Sequence, residues 1–491
     1  MMSGESALAL KTHTNLSDQQ YQILRNASLK QNADIYPTLI NLKTAQKMCY
    51  PTNIHIGETE AKVELQSMVD HTLVRVVSMS SEKLSNFVDS SDDGVFYFKS
   101  GFDGASSQSV YNQKYDETNL QFGIENEQSL FMTAITPLKF TLGNKTIWLN
   151  EKPSSPHFCR PLHLQYKKET KETLVEEEIS LRGEIELLSD FQLGALNIKG
   201  VELSGKVKYK VEITMLDGKA VNALVDCNST QSCNVCKAKP KEMNDLELVR
   251  TKEIDQKAIT LGLSTLHMWI RSFEFILHLG YKMEIKKFMA RSKEEKASVE
   301  RRKVEIKRRF REEMSLVVDT PKAGCGNTNT GNTARRSFGD PETFAEITGV
   351  SVDVVTKLSV ILRAVCSCYH LNLEAFKNFC FATSELIVSL YGWYTMPPSV
   401  HKLLEHGYQV ANYLELPLGA YSEEAQEASN KAVRNARLHH SCKISRKNVM
   451  SNQIGYLLIR SDPIISSVSF KEHKSYGGSP LSCDVEALLL K

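Results

Sequence analysis

The spacing of apolar residues changes period twice along this chain, and those two changes bound what it can fold into. Over roughly the first ninety residues the spacing is helical: Ser17-Asp18-Gln19-Gln20 has the order of a helix start, and Val63 to Val77 is spaced for an amphipathic helix. From Gly94 the pattern becomes strand-like. Val95 to Phe102 is apolar and aromatic enough for a buried strand, Leu130 to Ile135 and Lys139 to Leu149 follow, and Gly143-Asn144 supplies a two-residue hairpin turn. A charged helix is expected around Glu169 to Leu188. A strand then runs over Lys206 to Leu216, where Val207, Tyr209, Val211 and Ile213 alternate with lysines and Glu212. After Cys236 helical spacing returns and persists. Strands, a helix and another strand indicate a mixed α/β core.

With 491 residues, 41% of them hydrophobic, the chain is long enough for two to four domains. The most apolar long stretch, Thr260 to Tyr281, is broken by His267, Arg271, Glu274 and His278, so no membrane span is expected. The start MMSGESALALKTHTN has no basic residues leading into an apolar run, so an intracellular protein is expected. Its 11 cysteines are odd in number and scattered, in keeping with reduced thiols.

A net charge of +2 does not by itself announce nucleic acid. Its distribution says more. Lys282 to Glu313 carries Glu300-Arg301-Arg302-Lys303 and Lys307-Arg308-Arg309; it reads first as a solvated helix laced with i,i+4 ion pairs, and second as a DNA-facing or nuclear-import stretch. Gly324 to Thr333 reads as a loop running into Ala334-Arg335-Arg336, where free backbone donors and an arginine pair would make a phosphate cradle. It lacks the Gly-Lys-Ser/Thr ending of a nucleotide-binding loop, which excludes ATP.

Two sets of residues carry chemistry. Cys233-Asn234-Val235-Cys236 places two thiols at the spacing that lets both reach one tetrahedral metal. His401 and His406 follow a helix start at Pro397-Pro398-Ser399, and together the four could form a Cys2His2 clip tying the strand domain to the helical one; the plainer readings are a redox-active or packed cysteine pair and ordinary helix histidines. Among the acids, Asp103 and Asp217 each end a strand and precede a glycine, so they can converge on one cation; the plainer reading is an Asp-Gly turn. Glu427 shares a helix face with Asn430, Lys431 and Arg434, suited to a metal beside a phosphate backbone or to ordinary Glu-to-Lys pairing.

The run from Cys325 to Arg336, the segment Pro397 to His406 and Ser422 to Lys431 resemble the Transib transposases of animal genomes and, more distantly, the catalytic core of the vertebrate V(D)J recombinase. Tyr36-Pro37, Lys47 to Pro51 and Val69 to Thr72 extend the likeness over nearly the whole chain. The resemblance implies an α/β RNase H-like catalytic core interrupted by a long, mostly helical zinc-bearing insertion, with an N-terminal helical domain. The parts would be residues 1–90 (accessory, for dimerisation or DNA binding), 91–230 (core, first part), 231–415 (insertion) and 416–491 (C-terminal helix completing the site, plus tail). It also selects Asp103, Asp217 and Glu427 as ligands of two catalytic Mg²⁺ or Mn²⁺ ions, with Glu424 the rival third carboxylate. Cys233, Cys236, His401 and His406 become the ligands of a structural Zn²⁺.

The activity so implied is cut-and-paste transposition in the nucleus by a homodimer: nicking at the element's terminal inverted repeats, hairpin formation on the flanking DNA, and strand transfer of 3′ ends into target DNA. Asn332, Arg335, Arg336, Lys431 and Arg434 are the expected DNA contacts. Trp393 and Tyr394 are candidates for stacking on a displaced base, against ordinary core packing. A domesticated DNA-binding or recombination protein, and an RNase H-like nuclease without joining activity, are the alternatives. Beyond Ile464, Tyr476-Gly477-Gly478 and Leu488-Leu489-Leu490 suggest a loose tail with one apolar anchor.

Overall fold

The computed structural model describes residues 1–84, 92–106, 128–196, 203–227, 229–322, 326–442, 444–472 and 480–490. Two compact units divide the chain: Met1–Met215 with Glu424–Gly478, and Leu216–Glu423 with Ser479–Lys491.

The first unit is built on a mixed eight-stranded sheet, with strands β1 (Ile54–Ile56), β2 (Glu60–Val63), β3 (Gly94–Ala105), β4 (Leu130–Leu142), β5 (Lys145–Leu149), β6 (Arg160–Gln165), β7 (Phe191–Gln192) and β8 (Lys206–Met215). Their order is β1-β2-β6-β4-β3-β8-β7, with β5 on β4. Only β3 and β8 pair in parallel; the other pairs are antiparallel. A parallel neighbour requires a crossover, and the helix Lys171–Glu186 lies on the path from β6 to β8. Phe96, Phe98 and Phe102 of β3 and Phe131 and Phe140 of β4 are all buried, each burial contributing about 1.5–3 kcal/mol.

Local signals account for most of these elements. Ser17 and Gln20 form a reciprocal capping box at the head of the helix Asp18–Lys30, and the amphipathic stretch folds as the helix Leu65–Met79. Two expectations differ. The N-terminal stretch is not all helical: β1 and β2 form a hairpin, and β2 joins the sheet through β6. Leu130 to Leu142 is one strand rather than two, because Pro137 is accommodated at a register shift opposite Phe98. The chain then turns through Gly143-Asn144, with Gly143 at φ +51°, into β5.

The second unit is helical. Its central helix, Thr265–Lys282, buries residues on most of its circumference and packs against the helices Lys293–Glu313, Gly331–Phe338 and Val352–Val365. The basic helix Lys293–Glu313 is laced with ion pairs, Arg308 to Glu305 and Glu312 and Arg309 to Glu313, as a solvated face would be. At the C-terminus Leu489 bridges to Leu371, and Leu490 N–H donates to His370 O (2.8 Å), which supplies the apolar anchor; Tyr476 to Gly478 lie outside the described residues. No helix among the described residues is long and apolar enough to cross a membrane.

Candidate functional site

Cys233 and Cys236 occupy a tight turn closed by Lys237 at φ +56°. Cys233 N–H donates to Ala238 O (3.0 Å), and Val235 N–H donates to Cys233 Sγ (3.4 Å), which favours a thiolate there. The histidines come together by an irregularity. Five residues apart on a regular α-helix they would point about 140° apart. Here Lys402–His406 is a π-helical turn, and the two rings lie with centroids 5.4 Å apart. Glu405 holds that turn: its buried carboxylate accepts from Arg250 Nε (3.0 Å) and Ser384 Oγ (2.5 Å).

One ligand atom from each of Cys233, Cys236, His401 and His406 lies within 4.8 Å of all the others, and all four side chains are buried, so the cluster can hold a metal such as zinc. A tetrahedral ion at about 2.0–2.3 Å from each would need ligand separations of roughly 3.3–3.8 Å; Cys236 Sγ and His401 Nε2 are already 3.4 Å apart. Gln409 Oε1 accepts from His406 Nδ1 (3.0 Å), leaving His406 Nε2 buried without a protein partner, as a metal ligand should be. Hydrogen bonding from Cys236, against the opposing effect of burial, and from His401 holds the Cys233 thiol well below its usual range. Cys236 is pushed up because its neighbour ionises first. All four ligands belong to the second unit, so the cluster closes that unit on itself instead of tying it to the strand domain.

The acidic residues stand as follows. Asp103 lies within β3, two residues before its end, paired with Met132 of β4. Just ahead of it, the β3 and β8 register shifts between Ser100 and Gly101, where a side chain at Gly101 would meet Met215 O at 2.0 Å. The extra residue, Thr214, is on β8, so the irregularity bends β8 shortly before Asp217. Asn430 Nδ2 donates to Asp103 Oδ2 (2.6 Å), bringing the helix Glu424–His439 against β3. Gln426, buried on the same helix, donates to Met132 O (2.8 Å), and Ala425 packs with Ala134, Cys159 and Met215. Glu427 is exposed and Glu424 half-buried. Asp217 follows β8 by two residues and caps the helix Gly218–Leu224, its Oδ1 accepting from Ala220 N–H (2.6 Å).

The expected DNA contacts are mixed in character. Asn332, Lys431 and Arg434 are exposed, with Arg434 reaching Ser106 O (3.4 Å). Arg335 lies over the Trp269 ring (5.8 Å), and Arg336 donates to Met314 O (3.2 Å). Part of the expected cradle is already engaged within the described loop. Asn329 N–H is taken by Asn327 Oδ1, Thr330 N–H by Thr328 O and Thr333 N–H by Thr330 Oγ1, because the helix already starts at Gly331. Gly324 and Cys325 lie outside the described residues. Trp393 is half-buried and edge-on to Tyr394, which is buried in the wall of a cavity of about 620 Å³.

Sequence reasoning passed over two acids. Glu169 Oε2 accepts from the N–H of Gly104 (3.2 Å), next to Asp103. Glu423, 4% exposed, accepts from Ser264 Oγ and from His267 N–H (3.3 Å), with His267 Nδ1 at 3.2 Å. His267 lines the cavity of about 620 Å³ that also includes Asp217. The signal for His267 was its place as a polar break in the apolar helix.

No protein-family model and no curated relative matches the chain. Among solved structures, the Drosophila P element transposase strand transfer complex is similar at 10% identity, with 94% of this chain and 92% of that chain covered and a TM-score of 0.39. A likeness at that score leaves fold and function to the chain's own residues.

Proposed function

We propose that the chain is a cut-and-paste DNA transposase with an RNase H-like core, acting in the nucleus as a homodimer on its element's terminal inverted repeats and on target DNA. One observation carries the reading: Asn430, one turn beyond Glu427, bonds Asp103 on the strand that pairs in parallel with β8, whose end leads to Asp217. Three antiparallel strands, a helix and a parallel return strand are also the order expected of an RNase H-like sheet.

In this reading Asp103, Asp217 and Glu427 hold the catalytic Mg²⁺ or Mn²⁺ ions, which supply activation of the attacking oxygen and charge relief on the leaving one. The residues of the chain do the positioning. Asn430 fixes the rotamer of Asp103, Gln426 anchors the helix that carries the glutamate, and Lys431 and Arg434 offer exposed charge to the phosphate backbone. Water attacks a phosphodiester at the element end and the 3′ oxygen leaves, taking up a proton. That 3′-hydroxyl then attacks the opposite strand, exchanging one phosphodiester for another and closing a hairpin on the flanking DNA. The element's own 3′ ends later attack target DNA in the same way. Zn²⁺ on Cys233, Cys236, His401 and His406 is structural.

Glu427 is favoured over Glu424 because Asn430 lies three residues beyond Glu427 and six beyond Glu424, a rise of about 4.5 Å against about 9 Å. Nicking of a cloned element end in Mn²⁺ tests the choice. Glu427→Gln should abolish it and Glu424→Gln should retain most of it; the opposite pair of results would move the third carboxylate to Glu424.

A further inference from the structure

The first unit also holds a cavity, of about 430 Å³, walled by the helix Gly4–His13, the strand β1 and the helix Arg446–Arg460. Its lining is mostly aliphatic. Leu8 of the first helix and Ile454 and Leu458 of the last, four residues apart on one face, are buried and form its floor. Ile54 and Ile56, two apart on one face of β1, and Leu16 are only half-buried at its rim. A volume of that size suits a small molecule, and half-buried isoleucines leave apolar surface for one to cover.

The polar side chains in the wall include a cation. Lys11 lines the cavity and pairs with the exposed Asp18 (2.9 Å), which takes one of its three donors. His440 lines it too, its ring stacked on that of Tyr456 with centroids 4.3 Å apart and 14° between the planes. The Tyr456 hydroxyl accepts from Asn435 Nδ2 (3.2 Å) and donates to Asn15 Oδ1 (3.3 Å), so the stacked pair is held in place. His440 Nε2 is buried with no protein partner. Burial, and after it His439, Lys11 and Arg460, hold the imidazole below its usual range, so positive charge gathers around it. Aliphatic walls with a cationic end complement a methylene chain that carries an anionic head, and His440 already covers one face of the Tyr456 ring, leaving less room for a flat aromatic ligand.

We propose that this cavity binds a free medium-chain aliphatic carboxylate, its chain laid along Leu8, Ile56 and Leu458 and its head at Lys11 beside His440. Such binding requires no DNA chemistry. His440 follows directly on the helix Glu424–His439, so the bound acid ties the end of that helix to the N-terminal helix that carries Lys11.

The test is calorimetric titration of the full chain with decanoate, kept below its micellar concentration, against hexanoate, octanoate, decanol and decyltrimethylammonium. The wild type should bind decanoate at about one per chain, with affinity rising about fourfold for each methylene added from hexanoate upwards. Decanol and the ammonium should bind roughly tenfold or more weakly, because neither offers an anion to Lys11. Lys11→Met should weaken decanoate about tenfold and leave decanol unchanged, and Lys11→Arg should restore the acid. Ile56→Trp, which fills the cavity, should remove binding of both, with wild-type zinc content and urea midpoint showing that each variant is folded. A wild type that ignores decanoate, equal affinity for decanoate and decanol, an equal loss of both in Lys11→Met, or binding that survives in a folded Ile56→Trp would each overturn the proposal. Nicking is read separately: decanoate binding by a chain that never cuts DNA would sink the proposed function alone, and cutting by a chain that ignores decanoate would sink this inference alone.

Discussion

Replacing His406 with alanine removes one of four buried ligands and should cost the chain its zinc. The magnitude follows from the cluster. Four side chains are buried around a point that each reaches with one donor atom, and His406 Nε2 has no protein partner to fall back on. Closed four-ligand zinc sites are worth about 10–16 kcal/mol in apparent binding free energy, so losing one ligand of four removes roughly 3 kcal/mol, or about a hundredfold in affinity. Gln409→Ala, which removes only the acceptor of His406 Nδ1, should cost about 10–100-fold. The assay is zinc content by plasma mass spectrometry after dialysis against a graded series of chelator. The wild type should keep about one zinc per chain where His406→Ala has lost it, with Gln409→Ala between. A His406→Ala protein that holds zinc as the wild type does, or a wild type that never holds any, would refute the assignment of these four residues as one metal centre.

Two further outcomes follow from the first unit. Gly101→Ala puts a methyl group 2.0 Å from Met215 O, where backbone must move, and should lower stability by about 1–3 kcal/mol in urea titrations and reduce DNA cutting; Gly183→Ala, in a helix with nothing within 4 Å of the new atom, should instead raise stability by about 0.5–1 kcal/mol. A silent Gly101→Ala would mean that the close approach of β3 to Met215 does not constrain the strand that carries Asp103. Burial, and after it the Arg160 guanidinium, push His71 down to about 3 from an ordinary 6.5, while its ring accepts from Arg160 and bonds Met48 O. The unfolded chain therefore takes up a proton that the folded chain refuses. Stability is full above pH 6.5 and falls towards pH 3, at up to about 1.4 kcal/mol per pH unit. His71→Asn should flatten that fall relative to the wild type, and parallel curves would show that His71 does not contribute.

How far the sequence foretold this molecule depended on the range of the forces involved. β3, β8 and the capped helix at Ser17 were readable because period and capping are local. β1 and β2, three and four residues long, are too short to show a period and exist because β6 offers an edge. Leu130 to Ile135 and the stretch from Lys139 read as separate strands because nothing local reveals that a register shift will absorb Pro137 between them. Cys233 and Cys236 were legible as a pair. His401 and His406 were legible as candidate partners, but the π-helical turn that lets their spacing face one metal was not, since it is held by Arg250, far off in sequence. The stripe from His267 to His278 was in plain view, yet it was used only to exclude a membrane span. Which acid meets which amide, as Asn430 does Asp103, is set by tertiary packing and no pattern in either segment announces it.

The central claim is that Asp103 belongs to a metal-dependent site that cuts and joins DNA. The direct measurement is a denaturing gel of wild type and Asp103→Asn, each with a cloned element end, a target plasmid and Mn²⁺. The wild type should give nicks, then hairpins on the flanking DNA, then plasmid joints. Asp103→Asn should give none of the three while binding DNA and zinc as before. Cutting by Asp103→Asn at the wild-type rate would contradict the account.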